Sequence, residues 1–156
     1  MIRKKESGEF MKNIEIVKIK MVKDTMTECK YKKGIKNPWD AYKVLNELLQ
    51  YEDREHFLVV TLNTKKEINN ISVVSIGTLN MSCVHPREVF KTAILSNAHK
   101  IIVAHNHPSG YVEPSKEDKK ITERILECGK ILGIELLDHI IIGGGYYFSF
   151  KEKGII

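Results

Sequence analysis

The run Lys100-Ile101-Ile102-Val103-Ala104 is apolar at four successive positions, with no alternation of polar and apolar side chains. A strand half-exposed to water alternates with period two, whereas an unbroken apolar run marks a strand covered on both faces. This run therefore predicts a central strand with helices packed on each side. Asn37-Pro38 sets an N-cap residue before a proline at the first helical position. Ala41, Val44, Leu45, Leu48 and Leu49 follow at helical spacing, so a helix is expected to about Asp53. Pro86 opens a second helix, with Phe90, Ala93, Ile94 and Ala98 inward, and a third is expected from about Ser115 to Leu132. Ile121, Ile125, Cys128 and Leu132 give that third helix its apolar spacing. His56–Leu62 and Glu67–Ile76 read as strands joined by the polar turn Asn63-Thr64-Lys65. Residues 135–142 and 146–150 read as closing strands around a Gly143-Gly144-Gly145 hairpin turn, and residues 14–22 as an edge strand. Mixed helices and strands without internal repeats make a layered α/β sandwich.

A chain of 156 residues suits one such domain and needs no disulfide or metal merely to fold. Cys29, Cys83 and Cys128 are odd in number and form no C-x-x-C, which fits free thiols in a reducing compartment. No apolar run reaches the roughly 18 residues of a membrane span, and no apolar signal core follows the basic Met1–Lys5. A soluble cytoplasmic protein is the expectation. The net charge of +5 is unevenly placed. Residues 1–36 carry 11 Lys+Arg and 5 Asp+Glu, a net of +6, while residues 37–156 carry 14 and 15, a net of −1. Residues 1–36 thus read as a basic, partly flexible extension, and any weak nucleic-acid contact belongs to that tail rather than to the domain.

The stretch after the central strand carries the chemistry: His105-Asn106-His107, then Ser115-Lys116-Glu117-Asp118. In extended backbone, positions i and i+2 point to the same side at about 6–7 Å, so two imidazoles can converge on one ion. Asp118, in the first turn of the next helix, can add a carboxylate and leave a fourth position for water. Three protein ligands plus water is the pattern of a catalytic zinc site, whereas structural sites are closed by four. Ser115 and Asp118 also read as a helix capping pair. His139 follows Asp138 on a buried strand and reads as a structural hydrogen-bonding residue, or as one standing behind the ligands.

H-x-H, seven residues, S-x-x-D is the metal motif of the JAB/MPN (JAMM) metalloprotease domain, and His105-x-His107, residues 108–114 and Ser115-x-x-Asp118 match its spacing. Gly77-Thr78-Leu79, Val84-His85-Pro86-Arg87-Glu88-Val89, Ala104–Gly110 and Leu137–Gly143 narrow the resemblance to the bacterial RadC-like branch, named for an association with DNA repair. The resemblance covers about residues 37–156. It implies a three-layer α/β/α sandwich with a mixed, cytidine-deaminase-like sheet, and a Zn2+ ion held by His105, His107 and Asp118. It implies a glutamate on the strand entering the site, and the matching position is Glu55. In that family's chemistry the glutamate takes a proton from the zinc-activated water and passes it to the leaving amine. Ser115 stabilises the oxyanion. The implied reaction is hydrolysis of a peptide or isopeptide bond in a peptide or protein substrate.

Other functions are weighed against this one. His-Asn-His in adjacent positions is not the dispersed set of an HNH nuclease, and the H-x-E with P-C-x-x-C of a zinc nucleobase deaminase is absent. The remaining alternative is a non-enzymatic DNA repair or replication accessory module that binds DNA or a repair partner. Longer RadC-like proteins carry a helix-hairpin-helix region ahead of this domain, where this sequence has only its 36 basic residues, so a short form is the expectation.

Overall fold

The computed structural model describes residues 3–4, 10–11, 15–26, 34–77 and 84–156. Ile14, Cys29, Thr78, Leu79 and Cys83 lie outside the described residues. Two short strands near the N-terminus, β1 (Arg3–Lys4) and β2 (Phe10–Met11), pair antiparallel. The domain follows as α1 (Pro38–Leu49), β3 (His56–Leu62), β4 (Ile68–Ile76), α2 (Pro86–Leu95), β5 (Lys100–Asn106), α3 (Lys116–Leu132), β6 (Glu135–Gly143) and β7 (Tyr146–Ser149). Its five-stranded sheet has the order β4-β3-β5-β6-β7, with β5 and β6 parallel and the other neighbours antiparallel. A parallel pair needs a long crossover, and α3 supplies it.

β5 sits in the middle, and its side chains divide between two cores. Ile102 and Ala104 face α1, packed with Ala41, Leu45 and Leu49. Ile101 and Val103 face α2 and α3, packed with Val89, Phe90, Ala93 and Ile125. Both faces are dry, which is why the strand reads as an unbroken apolar run. The mixed sheet with one helix on one face and two on the other is the three-layer α/β/α sandwich expected from the sequence.

Helix starts follow the sequence signals. Asn37 accepts from the Asp40 N–H at 2.9 Å, with Pro38 in the first turn. Gly144 and Gly145, at φ 56° and 82°, make the two-residue turn between β6 and β7, a left-handed pair that glycine adopts without strain.

Several boundaries differ from expectation. Residues 15–26 form no strand and are exposed, Ile16 at 97%, so the alternation of 14–22 finds no partner in the sheet. Helix α1 ends at Leu49, not near Asp53, because the Glu52 and Arg54 carbonyls turn to the Asn106 side chain. Strand β5 runs on through His105 and Asn106, beyond the Lys100–Ala104 run that marks it in the sequence, because Ile141 and Ile142 of β6 pair with them. Ser115 is the N-cap of α3, as its capping-pair reading expects, and the helix proper begins at Lys116. Ile94 is 53% exposed rather than inward, and Ala98 lies beyond the end of α2, although buried.

The two-core arrangement predicts a sharp contrast between two similar truncations. Leu45→Ala, at a residue 1% exposed, is expected to lower unfolding free energy by about 2–5 kcal/mol. Ile94→Ala is expected to change it by no more than about 1 kcal/mol. Urea-unfolding midpoints of the two variants check the assignment.

Candidate metal centre

His105 continues the face of β5 that carries Ile101 and Val103, so its ring enters the core beside α3 and stacks on Phe57 at 5.7 Å. His107 follows at the strand end, where its N–H still pairs with the Ile142 carbonyl at 2.8 Å. Asp118 is held by a capping box on α3. The Ser115 N–H and Oγ–H both donate to Asp118 Oδ2 at 2.7 Å, and Ser115 Oγ accepts from the Asp118 N–H at 3.0 Å. The cap thus uses Oδ2 and turns Oδ1 toward His105.

Three ligand atoms meet at this corner. His105 Nε2 lies 3.0 Å from His107 Nε2 and 3.2 Å from Asp118 Oδ1, and His107 Nε2 lies 3.6 Å from Asp118 Oδ2. Ligands about 2.0–2.1 Å from a tetrahedral zinc are separated by about 3.3–3.4 Å. The observed separations bracket that value, so the donor set fits a zinc ion. Among the described residues, this trio is the group of His, Cys, Asp and Glu side chains that can hold a metal.

The proton inventory agrees. The His107 Nδ1 atom lies 2.6 Å from the Tyr111 carbonyl, which can only accept, so Nδ1 carries the proton and neutral His107 has a bare Nε2. Gly110 makes that contact reachable: at φ 84° it turns the loop back against Gly143 and Gly144, where added Cβ atoms would approach Gly110 to 3.0 Å. Burial works to raise the Asp118 pKa, but the imidazoles of His105 and His107 and the Ser115 hydroxyl outweigh it, holding the carboxyl well below its usual range. Asp118 in turn is the largest influence raising the His107 pKa, against the opposing effect of burial. An ionised carboxylate beside two imidazoles is a donor set that a metal ion can engage all at once.

Glu55 immediately precedes β3, on the strand beside β5. It is half-buried, its carboxylate makes no hydrogen bond or ion pair with the described residues, and its charge acts on His107. Asn106 sets its position. This residue takes the opposite face of β5 from His105, where its Oδ1 accepts from the His56 N–H at 2.7 Å and its Nδ2 donates to the Arg54 carbonyl at 2.8 Å. The backbone on either side of Glu55 is thereby tied to the residue between His105 and His107. Sequence reasoning did not single out Asn106. Its place in the H-x-H triplet, at the end of a strand buried on both faces, is the signal that was available. A cleft of about 200 Å³ opens beside His107, lined also by Asn46, Gln50, Glu52, Asn106 and Gly144. His139 stands behind His105, its Nε2 2.9 Å from His105 Nδ1, and burial pushes its pKa well down.

An α/β/α sandwich with two histidines at a central strand end and an aspartate on the following helix defines a JAB-type domain. Residues 35–155 match the RadC-like JAB domain, and the chain belongs to that family. It is 61% identical over 127 residues to a UPF0758 protein of Clostridioides difficile, a match covering 81% of this chain and 53% of the relative. A UPF0758 protein of Rubrobacter xylanophilus is 53% identical over 122 residues, covering 78% and 53%. One from Methanosarcina mazei is 47% identical over 125 residues, covering 80% and 55%. The chain spans about half the length of these relatives.

The role given to Asn106 is testable without a substrate. Asn106→Ala leaves the His56 N–H and the Arg54 carbonyl without partners. The expected cost is about 1–3 kcal/mol in urea unfolding, with amide exchange at His56 accelerated more than exchange at the core residue Ile125 under native conditions.

Proposed function

We propose that the domain is a zinc-dependent hydrolase that cleaves a peptide or isopeptide bond. The observation that carries this reading is the convergence of His105 Nε2, His107 Nε2 and the Asp118 carboxylate to within 3.0–3.6 Å of one another, with Glu55 near enough for its charge to act on His107. Family membership supports the same chemistry. Zinc held by the three residues would supply a water of lowered pKa and polarise the substrate carbonyl. Glu55 accepts the proton of the attacking water and delivers it to the leaving amine, the work of a general base and then a general acid. Its freedom from other partners suits a group that must gain and lose a proton in each turnover. Ser115 provides a hydroxyl donor for the developing oxyanion, and for this its proton must leave Asp118 Oδ2. The cleft beside His107 is the place offered to an extended peptide, with His107 the one proposed ligand on its wall.

Two measurements test the proposal. Metal analysis of folded protein purified without chelators is expected to give one zinc per chain, and its absence refutes the zinc centre. Glu55→Gln is expected to keep that zinc and to lower hydrolysis of a peptide or isopeptide substrate by at least about 100-fold. Undiminished hydrolysis would remove Glu55 from the chemistry.

A second reading, DNA or repair-partner binding through the N-terminal extension, is supported by the exposed Lys18, Lys20 and Lys23 within residues 15–26. Binding of this kind weakens steeply with salt. Replacing all three lysines by glutamate is expected to abolish DNA retention at low salt and to leave zinc content unchanged. Equal retention by that variant would exclude these lysines as the contact.

A further inference from the structure

We propose that β4 is a dimerisation edge, which pairs antiparallel with β4 of a second copy about a two-fold axis at Ser72 and joins the two sheets into one. The proposal is independent of the metal reading. β4 is the outer strand of the sheet, and among the described residues its far edge has no strand beside it. Folded proteins commonly guard such an edge with charged side chains, proline or a very short strand. The nine residues Ile68–Ile76 contain no charge and no proline.

The register with β3 shows what this edge presents. Leu58, Val60 and Leu62 pack on the α1 side, and opposite them stand Val73, Ile71 and Ile68, with Ile76 opposite His56. Register shifts at Asn69 and Val74 bring Ile68 and Ile76 onto the same face as Ile71 and Val73, which strict alternation would not do. The four form an apolar stripe along the rim of the sheet. Ile68 and Ile71 pack partly on the α1 core, whereas Val73 is 54% and Ile76 55% exposed. The stripe is symmetric in sequence. Ile68 and Ile76 stand four residues either side of Ser72, and Ile71 and Val73 stand one residue either side. An antiparallel pair centred on Ser72 keeps the α1 faces together, setting Ile71 against the partner's Val73 and Ile68 against the partner's Ile76.

The backbone has the same symmetry. The Leu62 carbonyl accepts from the His99 N–H, on the β5 side, and the Asn63 N–H donates to the Glu67 carbonyl, on the β4 side. Backbone groups of an antiparallel strand turn alternately to its two neighbours, so Thr61 and Val59 turn to β4, where they meet Asn70 and Ser72. Ile71 and Val73, between and beyond these, turn their N–H and C=O groups outward. About Ser72, Ile71 then exchanges hydrogen bonds with the partner's Val73, and Val73 with the partner's Ile71. The register shifts lie outside Asn70–Val73 and leave this central stretch regular. A two-fold interface requires one surface to be its own complement, and β4 is so in side chains and backbone. The chain's own residues 15–26 form no strand and stay exposed, so the occupant assigned to the edge is a second copy.

Sedimentation equilibrium of the full-length chain tests the proposal. The wild-type mass is expected to rise with concentration toward twice the 17.9 kDa of one chain. Val73→Lys puts a charge into the stripe of each copy, at a residue exposed enough to tolerate it in the monomer, and is expected to weaken association at least about tenfold. Ser72→Cys sets a thiol opposite its own counterpart in a non-hydrogen-bonded pair, where Cα atoms stand about 4.5 Å apart, within reach of a disulfide. Mild oxidation is expected to give a covalent dimer with S72C and none beyond the wild-type level with Ser75→Cys. Should V73K not fold, wild-type amide exchange decides: Ile71 and Val73 are expected to exchange faster on dilution. A wild-type chain still monomeric at about 1 mM overturns the proposal. So does a dimer that V73K leaves intact, or one that S72C fails to cross-link. Slow exchange at Ile71 and Val73 that ignores concentration also overturns it, and gives the edge to a segment of the same chain.

Discussion

The structure depends on the position of β5 between β3 and β6. Because that strand is hydrogen-bonded on both edges and packed on both faces, successive side chains leave it in opposite directions without contact with water. At its C-terminal end the alternation continues after the apolar residues stop. His105 goes to the face of α2 and α3, where Asp118 lies, and Asn106 goes to the face of α1, where it ties the segment carrying Glu55. A slip of one residue in pairing would exchange those directions, sending the His105 ring away from α3. The two dry cores that hold the register are therefore a condition for the site, and α3, as the crossover between parallel strands, brings Asp118 to the same strand end.

Much of this arrangement was legible in the sequence because the responsible signals are local. Asn37-Pro38 and Ser115-x-x-Asp118 are caps whose partners lie within three residues, and the hairpin glycines accept positive φ without help from elsewhere. His105, His107 and Asp118 were legible because strand period and helix start constrain where their side chains go. The misses are non-local. Helix α1 stops four residues short of the expected position since carbonyls beyond it turn to Asn106, which is more than 50 residues away along the chain. The alternation of residues 14–22 describes a segment able to form a strand, and whether it does depends on an available neighbour, which no local pattern encodes. Thr122 read only as part of a helix; its hydroxyl meets His139 because β6 brings that ring against it.

Desolvation explains why the metal-binding corner needs so many supporting contacts. An ionised carboxylate and two imidazoles are brought together where burial disfavours charge, and each polar atom left unpaired there would cost about 1–3 kcal/mol. The surrounding contacts distribute these demands. The Tyr111 carbonyl faces His107 Nδ1, the cap takes Asp118 Oδ2, and His105 Nε2, His107 Nε2 and the Asp118 carboxylate are left facing one another.

Ser115 is where structure and chemistry compete most directly. Its hydroxyl donates to Asp118 Oδ2 while accepting from the Asp118 N–H, so it closes the first turn of α3 and orients the carboxylate at the same time. An oxyanion forming nearby would compete for that one hydroxyl proton. If Ser115 turned to it, Asp118 Oδ2 would keep the Ser115 backbone N–H at 2.7 Å. The carboxylate thus remains capped by its backbone donor when the side chain is drawn away. A substitution by alanine would remove a cap contact, commonly about 0.5–2 kcal/mol, together with any contribution to transition-state binding. Stability and turnover must therefore be measured together before the residue's two roles can be separated.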